Sequence, residues 1–192
     1  MRRILVVSAA LSLAATPALA HPGLHHASGF AAGFSHPFGG LDHLLAMVAV
    51  GLWAGLATPG RPWLWPAAFL AFMVAGFTAG FASLALPGVE TMVLASLVAL
   101  GLAAALRWRA PVAVGCALAG LFAVAHGYAH GVEVPASVSG LTFAAGFVTA
   151  SAILQGLGVA LARTASSWRA EGVARAAGLG VALAGVAMAW AG

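Results

Sequence analysis

Histidine and carboxylate side chains gather in two short stretches of an otherwise apolar chain, residues 36–43 and 126–133. Together these stretches carry His36, Asp42, His43, His126, His130 and Glu133. Imidazole and carboxylate groups without a thiolate suit Ni²⁺, Co²⁺, Zn²⁺ or Cu²⁺, and ligand softness does not choose among these ions. The chemistry that these residues predict is therefore the binding of a divalent metal ion.

In the first stretch, Pro37 suits a first helical turn, so His36 is expected at the entrance of a helix. His43 is then expected on nearly the same helical face, about 10 Å deeper. Asp42 lies near the helix N-terminus, where the helix dipole favours a carboxylate. An ionisable residue inside a membrane segment costs at least ~2.5–3.5 kcal/mol on insertion scales and therefore indicates a function. The alternative is that Asp42 caps a broken helix.

In the second stretch, spacings of four and three residues place His126, His130 and Glu133 on one helical face. Counting along the two helices puts His126 and His43 at a similar depth. Each helix therefore offers imidazole and carboxylate at the same level, and the two are expected to share one metal site.

A third histidine group, His21, His25 and His26, precedes these stretches. After removal of a signal peptide, the amine and imidazole of His21 would be able to chelate one ion together. Two interpretations remain open: the tail collects metal for the membrane site, or it is a solvated terminus.

The composition predicts an all-α integral membrane protein. Of 192 residues, 62% are hydrophobic and 6% are charged, whereas soluble domains carry about 25% charged residues. The eight basic residues are all arginine and occur singly or in pairs, which excludes the basic patch of a nucleic-acid-binding protein. The lone cysteine, Cys116, forms neither an intramolecular disulfide nor a thiolate metal site and is interpreted as a packing residue.

Residues 1–20 have the layout of a cleavable signal peptide. Arg2 and Arg3 precede an apolar core that ends near Ala15, and an Ala-Leu-Ala cleavage site follows at 18–20. Cleavage there leaves His21 as the mature N-terminus. The alternative is an uncleaved first helix.

Residues 21–192 are expected to form a single membrane domain of six transmembrane helices. Each apolar segment is close to the ~20 residues that a bilayer requires, and short Pro-, Gly- and Arg-containing connections separate them. The predicted segments are 38–57, 64–86, 89–106, 111–130, 138–162 and 173–191.

The arginines predict the orientation of these helices in a bacterial inner membrane. With the mature N-terminus outside, all eight arginines fall on the cytoplasmic side, whereas Glu90 and Glu133 fall on the opposite side. Both mature termini are then periplasmic, and all seven histidines lie outside or in the outer parts of helices. Gly-x-x-x-Gly spacings at 51–55, 76–80 and 127–131 indicate close helix packing within the chain or a face of a homo-oligomer.

Two segments closely resemble the HupE/UreJ family of membrane proteins. Its first-helix signature is similar to residues 36–51, His-Pro-Phe-Gly-Gly-Leu-Asp-His-Leu-Leu-Ala-Met-Val-Ala-Val-Gly. Its fourth-helix motif is similar to residues 126–133, His-Gly-Tyr-Ala-His-Gly-Val-Glu. One departure is Ala125, where the family pattern has phenylalanine, and this concerns local packing only. The histidine-bearing start after the signal peptide also looks like the family.

The resemblance implies a nickel, sometimes cobalt, permease linked to hydrogenase or urease and their maturation proteins. It implies that the six residues of the two stretches handle the metal, which is cargo; no prosthetic group is expected. Alternatives are a non-transporting nickel-binding accessory protein, a haem protein with two axial histidines, and, as the enzyme alternative, an intramembrane hydrolase. The chain is not expected to be an enzyme. Polar residues of the fifth segment either line an inward path or join helices by hydrogen bonds: Thr142, Thr149, Ser151 and Gln155.

Overall fold

The computed structural model describes residues 29–58 and 60–191, and within these ranges every regular element is helical. The elements are α1 (Gly29–Ser35), a 3₁₀ turn (His36–Phe38), α2 (Leu41–Ala57), α3 (Leu64–Phe81), α4 (Val89–Ala105), α5 (Val112–Val132), α6 (Gly140–Ser167) and α7 (Glu171–Ala191). The predicted all-α class is confirmed. The predicted signal peptide and the residues His21, His25 and His26 lie outside the described residues.

Several of these helices are suited to a bilayer, which makes the chain a multi-pass membrane protein. Helices α3, α5, α6 and α7 are long and apolar enough to cross a membrane. A fifth span is formed if α1, the 3₁₀ turn and α2 are counted together, although this unit is bent by 81°. Helix α4 is apolar but has only 17 residues. Length and composition therefore identify four or five spans in the described residues, where the sequence predicted six.

The largest difference from the sequence prediction lies at the start of the first predicted segment. Gly40 has an extended backbone (φ −111°, ψ 115°) and interrupts the chain between the 3₁₀ turn and α2. His36 therefore belongs to a separate turn, and the expectation that His36 and His43 share a helical face is wrong. The short helix α1, which the sequence did not predict, packs against α6: a Cβ on Gly33 would overlap the backbone of Phe143.

Two other helix ends differ from the predicted segment limits, each for a local reason. Helix α3 ends at Phe81, five residues before the predicted limit, because Ser83 adopts a positive φ of 55° that stops the helix. Helix α6 continues to Ser167. Residues 163–167 are mostly polar, but they include neither proline nor glycine, so the helix does not end with the apolar run.

Helices α2 and α6 pack side by side and run in the same direction. His43 pairs with Ser151 and Met47 with Gln155, both across 108 residues of chain. A constant offset of this kind means that the two helices rise together. Gly51 allows the close approach, because a Cβ there would overlap the carbonyl oxygen of Gln155.

The remaining helices form two further pairs. Helices α3 and α5 are parallel, since Gly76 lies against Val124 and Gly80 against Tyr128. Helices α4 and α7 are antiparallel: residue 101 faces 182, whereas residue 97 faces 185. All three predicted glycine spacings thus serve packing within the chain, as one of the two interpretations held.

The bundle has two chemically different ends. One, the histidine end, contains His36, His43 and Glu133. At the other, the arginine end, the Arg107 guanidinium donates to the carbonyl of Leu56 at 3.1 Å and pairs with Glu171. The Nε of Arg175 donates to the carbonyl of Ala105 there, at 2.7 Å.

Candidate metal site

Three side chains at the histidine end converge around one carboxylate oxygen. The Nε2 of His36 lies 2.8 Å from Oε2 of Glu133, and Nδ1 of His130 lies 3.1 Å from the same oxygen. Their potential ligand atoms all lie within 4.8 Å of one another. We refer to His36, His130 and Glu133 as the outer triad.

Local chain geometry explains how this triad forms. Pro37 occupies the first turn of the 3₁₀ helix, and the chain changes direction at Gly39 and Gly40 before α2 begins at Leu41. The His36 ring packs edge-on against Phe143 of α6, with ring centroids 5.2 Å apart. Glu133 is the C-cap residue of α5 and keeps helical dihedral angles, so its side chain returns to His130 one turn earlier.

The carboxylate of the triad is ionised under all physiological conditions. Hydrogen bonding to His130 is the main cause that lowers the pKa of Glu133 from 4.5 to about 2, and hydrogen bonding to His36 and attraction to both imidazoles add to it, against a partial burial that raises it. The Glu133 side chain is 53% exposed, so this negative charge faces the solvent side of the cluster. The triad therefore presents a fixed carboxylate between two imidazoles.

A chain of hydrogen bonds leads from the triad into the bundle. The Nε2 of His130 lies 2.9 Å from Nδ1 of His43, whose Nε2 lies 3.1 Å from Oγ of Ser151. Because a carboxylate only accepts, we assign the Nδ1 proton of His130 to the bond with Glu133. It follows that His43 donates from Nδ1 to His130 and accepts the Ser151 hydroxyl at Nε2. Each ring is thereby held in one tautomer and orientation.

His126 lies beside this chain and has a separate partner. Its ring centroid is 5.4 Å from that of His43, and its Nε2 lies 2.8 Å from Oγ of Ser96. The Ser96 hydroxyl donates to the carbonyl of Val93 at 2.6 Å. The hydroxyl has one proton, so His126 must donate from Nε2, which leaves the lone pair on its Nδ1. His43 and His126, each 1% exposed, form the buried pair.

Asp42 borders the cluster but is not part of the triad. It lies in the first turn of α2, and its Oδ1 accepts a hydrogen bond from the backbone N–H of His43 at 2.7 Å. This contact resembles the alternative interpretation of Asp42 as a residue of the helix start. Its side chain nevertheless lines the cavities at this end of the bundle.

Two neighbouring cavities give access to these residues. One, of about 330 Å³, is lined by His36, Asp42, His126, His130 and Glu133, with Gly39, Gly40, Val93 and Ala129. The second, of about 670 Å³, shares Asp42 and Glu133 and adds Glu90. Three of the four acidic residues of the chain therefore border the approach to the histidines.

Sequence reasoning missed Ser96, whose hydroxyl fixes His126. The signal was present, because Ser96 is a polar residue within the apolar segment 89–106, but nothing in the sequence says which way it faces. Of the polar residues on α6, Ser151 and Gln155 bond to α2. Thr142 and Thr149 bond instead to backbone carbonyls at the start of α6 and within it.

The arrangement brings five of the six predicted residues into one cluster and places Asp42 on its border. Two imidazoles and one carboxylate with open positions around them match a three-ligand transition-metal site that accepts exchangeable ligands. His43 and Ser151 then orient His130 from behind, as partners behind a metal site generally do, while His126 and Ser96 lie beside this chain of hydrogen bonds.

Comparisons with known proteins agree with the motifs. The profile of the family described as HupE / UreJ protein matches residues 9–188. The chain is 41% identical to Protein HupE of Rhizobium leguminosarum bv. viciae over 173 residues, which cover 89% of this chain and 90% of that protein. No solved structure matches the chain.

Proposed function

Because the chain belongs to the HupE/UreJ family, we propose that it is a secondary permease of the bacterial inner membrane that takes up divalent nickel, with cobalt as a second ion. Proteins of this family are accessory or transport proteins linked to nickel and cobalt uptake for hydrogenase and urease, rather than enzymes. The observation that carries the proposal is the outer triad, which continues through His130 into the buried pair. The ion is cargo, delivered to maturation proteins of hydrogenase or urease.

The proposed topology has six crossings after a signal peptide at 1–20. Helix directions alternate in the bundle: α2, α4 and α6 run from the histidine end to the arginine end, and α3, α5 and α7 return. Six successive crossings require this alternation. Helix α4 has 17 residues, the lower end of the ~17–25 that span a bilayer. The positive-inside rule puts the arginine end in the cytoplasm and both mature termini in the periplasm.

Capture begins in the acidic approach to the triad. Asp42, Glu90 and Glu133 line the larger cavity, and carboxylates of one sign along a cleft raise the local concentration of cations. Glu133 holds its charge at any periplasmic pH, because its pKa is about 2. His21, His25 and His26 are proposed to collect metal ahead of this cavity.

Transfer inward uses the contact between His130 and His43. His130 touches both the triad and the buried pair, so an ion that leaves the triad meets His43 and His126 next. The sequence has no nucleotide-binding motif, so the energy is proposed to come from ion gradients, the membrane potential or a separate partner. A conformational change that opens the arginine end then releases the ion.

The accessory-protein alternative makes a different prediction, namely metal binding without transport. The haem alternative is less well supported by the geometry, because the ring centroid of His43 lies 4.5 Å from that of His130 and 5.4 Å from that of His126, which leaves no room for a porphyrin plane between two axial imidazoles. An absorbance spectrum of the purified protein tests for haem directly.

The decisive experiment is radiolabelled nickel uptake by cells that lack their own nickel importers. They express the wild type, Asp42→Asn, His43→Ala or Glu133→Gln, with membrane abundance measured for each. Glu171→Gln is the matched carboxylate control, because Glu171 lies at the arginine end and pairs with Arg107. We expect uptake by the wild type and the control, and its collapse in the three site variants. Binding of nickel by the purified wild type without uptake of nickel or cobalt would establish the accessory protein instead.

A further inference from the structure

Met47 and Gln155 face each other about one helical turn inward from the buried pair, and neither belongs to the metal site described above. The Nε2 of Gln155 donates to Sδ of Met47 at 3.3 Å. Gln155 is 1% exposed and Met47 is fully buried. The Oε1 of Gln155 has no hydrogen-bond partner among residues 29–58 and 60–191. A buried carbonyl oxygen without a donor is costly, and polar groups inside membrane helices are generally functional.

The position of this pair follows from the helix register. Met47 follows His43 by four residues on α2, and Gln155 follows Ser151 by four on α6, so each lies ~6 Å further along its helix. The two helices are parallel, with the same offset for both pairs. The pair Met47–Gln155 is therefore the next polar contact on the interface that already carries His43 and Ser151.

From this geometry we infer that the Met47 sulfur and the Gln155 amide oxygen form a second binding site for the transported cation, inward of the histidines. We call this pair the inner station. The inference rests on the proposed permease function. Rotation of the Gln155 amide about χ3 exchanges Nε2 with Oε1, which turns the oxygen towards Sδ and makes two neutral donors converge. Thioether sulfur and amide oxygen both bind transition metals weakly compared with imidazole and carboxylate.

Weak ion binding suits this position on the proposed transport path. Conduction requires sites that an ion both enters and leaves. The outer triad combines a carboxylate with two imidazoles, the buried pair offers imidazoles, and the inner station has no charge at all. Ligand strength thus decreases towards the arginine end, so an ion is held most tightly where it is captured and least tightly before release.

Beyond Gln155 the direct route between α2 and α6 is closed, because Gly51 lies against the Gln155 carbonyl. A lateral cavity of about 340 Å³ begins here instead, between α3 and α6. Gln155 lines it together with Pro62 and Trp63 of the α2–α3 connection at the arginine end. Gln155 therefore borders both the α2–α6 interface that carries His43 and a space that extends towards the proposed cytoplasmic side.

The test compares uptake with binding in full-length variants. Met47→Leu and Gln155→Leu remove the two donors at nearly constant volume. Met73→Leu, a second fully buried methionine, and Thr149→Val, whose hydroxyl bonds only to its own helix, are the matched controls. We expect the nickel affinity of the purified variants to stay within about twofold of wild type, because the outer triad is intact, while uptake falls roughly tenfold or more, because the ion loses its next site on the path. Uptake at wild-type levels in both variants overturns the inference.

A second variant covers the case in which a leucine variant fails to fold. Gln155→Glu places a carboxylate at the same position, so an additional nickel ion should bind per chain in equilibrium dialysis, and X-ray absorption should show a sulfur ligand. That sulfur signal should vanish in the double variant Met47→Leu/Gln155→Glu. An unchanged stoichiometry overturns the station.

The two proposals fail in different ways. A wild-type protein that binds nickel but never transports it contradicts the permease, whereas the dialysis result for Gln155→Glu judges the inner station by itself.

Discussion

The two ends of the bundle are built from the same helices but differ in packing and polarity. At the histidine end, polar side chains converge beside cavities of about 330 and 670 Å³. At the arginine end, the rings of Trp53 and Trp65 lie 4.0 Å apart, and Trp108 stacks on Trp53 at 5.8 Å. Both indole N–H groups of Trp53 and Trp65 donate to backbone carbonyls, so the aromatic cluster leaves no polar group unpaired in those rings.

The two parts of the interface between α2 and α6 differ in the same way. Between α2 and α6, the outer turns bring together His43 and Ser151, whereas the inner turns bring backbone against backbone at Gly51. The first arrangement offers ligands, and the second excludes water and ions. The α2–α6 interface is thus polar towards the histidine end and closed by backbone contact towards the arginine end.

The largest expected effect comes from breaking the link between the outer triad and the buried pair. His130 bonds to both Glu133 and His43, so His130→Ala removes a ligand and the support of a second histidine. We expect nickel uptake to fall by about 100-fold or more, measured at equal membrane abundance. Thr78→Ala is the control, since its hydroxyl bonds only to its own helix. Retained uptake in His130→Ala would falsify the assignment of the histidine end as the site of capture.

Acidification should weaken metal binding at the histidine end, and therefore uptake, without disrupting the contacts at the arginine end. Metal ligands must be deprotonated, and burial, the main cause, lowers the pKa of His36 below its ordinary value of 6.5. The decline in uptake should therefore begin below that value and reach about tenfold per pH unit for each binding imidazole once the pH is below its pKa. In proteoliposomes, the membrane potential must be clamped while external pH varies. Uptake that stays constant from pH 7 down to pH 4 would contradict imidazole ligation.

The fold should survive this pH range, which separates site chemistry from unfolding. The pKa of Glu133 is lowered to about 2, so its stabilising contribution is complete above its ordinary value of 4.5 and is lost only as pH falls towards 2. We expect a modest decrease in the melting temperature of the purified protein from pH 7 to pH 5, because burial lowers the pKa of His36 below 6.5 and the unfolded chain then binds protons that the folded protein does not. A marked decrease in melting temperature at pH 5 would show that unfolding, rather than ligand protonation, limits uptake there.

A smaller effect is expected from Ser96→Ala, which leaves the His126 N–H without its acceptor. An unpaired buried N–H costs about 1–3 kcal/mol, and the His126 ring should lose its fixed orientation. Nickel affinity is expected to weaken severalfold, as measured by titration of the purified protein. Ser96→Thr restores the hydroxyl, whereas Ser96→Val has the same size as threonine without it, so affinity should be higher in Ser96→Thr than in Ser96→Val. Equal affinity in these two variants would show that the hydrogen bond is not responsible.

The smallest effect on nickel binding is expected from Gly51→Ala, at the sealed part of the α2–α6 interface. The added methyl overlaps the Gln155 carbonyl, and overpacking costs about 1–3 kcal/mol, so the melting temperature should fall while nickel affinity stays near wild type. Gly156→Ala is the matched control, because a Cβ there meets no atom within 4 Å. Loss of nickel affinity in Gly51→Ala would mean that packing at Gly51 is energetically coupled to metal binding at the histidine end.

The amino-acid sequence determined the helical class and the identity of the chemical groups. Apolar runs interrupted by Pro, Gly and Arg leave helices as the only way to pair backbone groups in a bilayer. Spacings within one helix were equally reliable, since His130 and Glu133 do meet across three residues. Helical periodicity fixes which residues share a face, and this requires no knowledge of the rest of the fold.

Only the tertiary structure decided which faces meet. The contact of His36 with Glu133 joins residues 97 apart in the chain, and it depends on an extended backbone at Gly40 that the local sequence does not specify. Ser96 reaches His126 because α4 is rotated towards α5, and this rotation follows from packing among all the helices. Periodicity carries no information about neighbours. The close approach of backbones and the volumes of side chains select the neighbours, and these act only when the whole bundle is assembled.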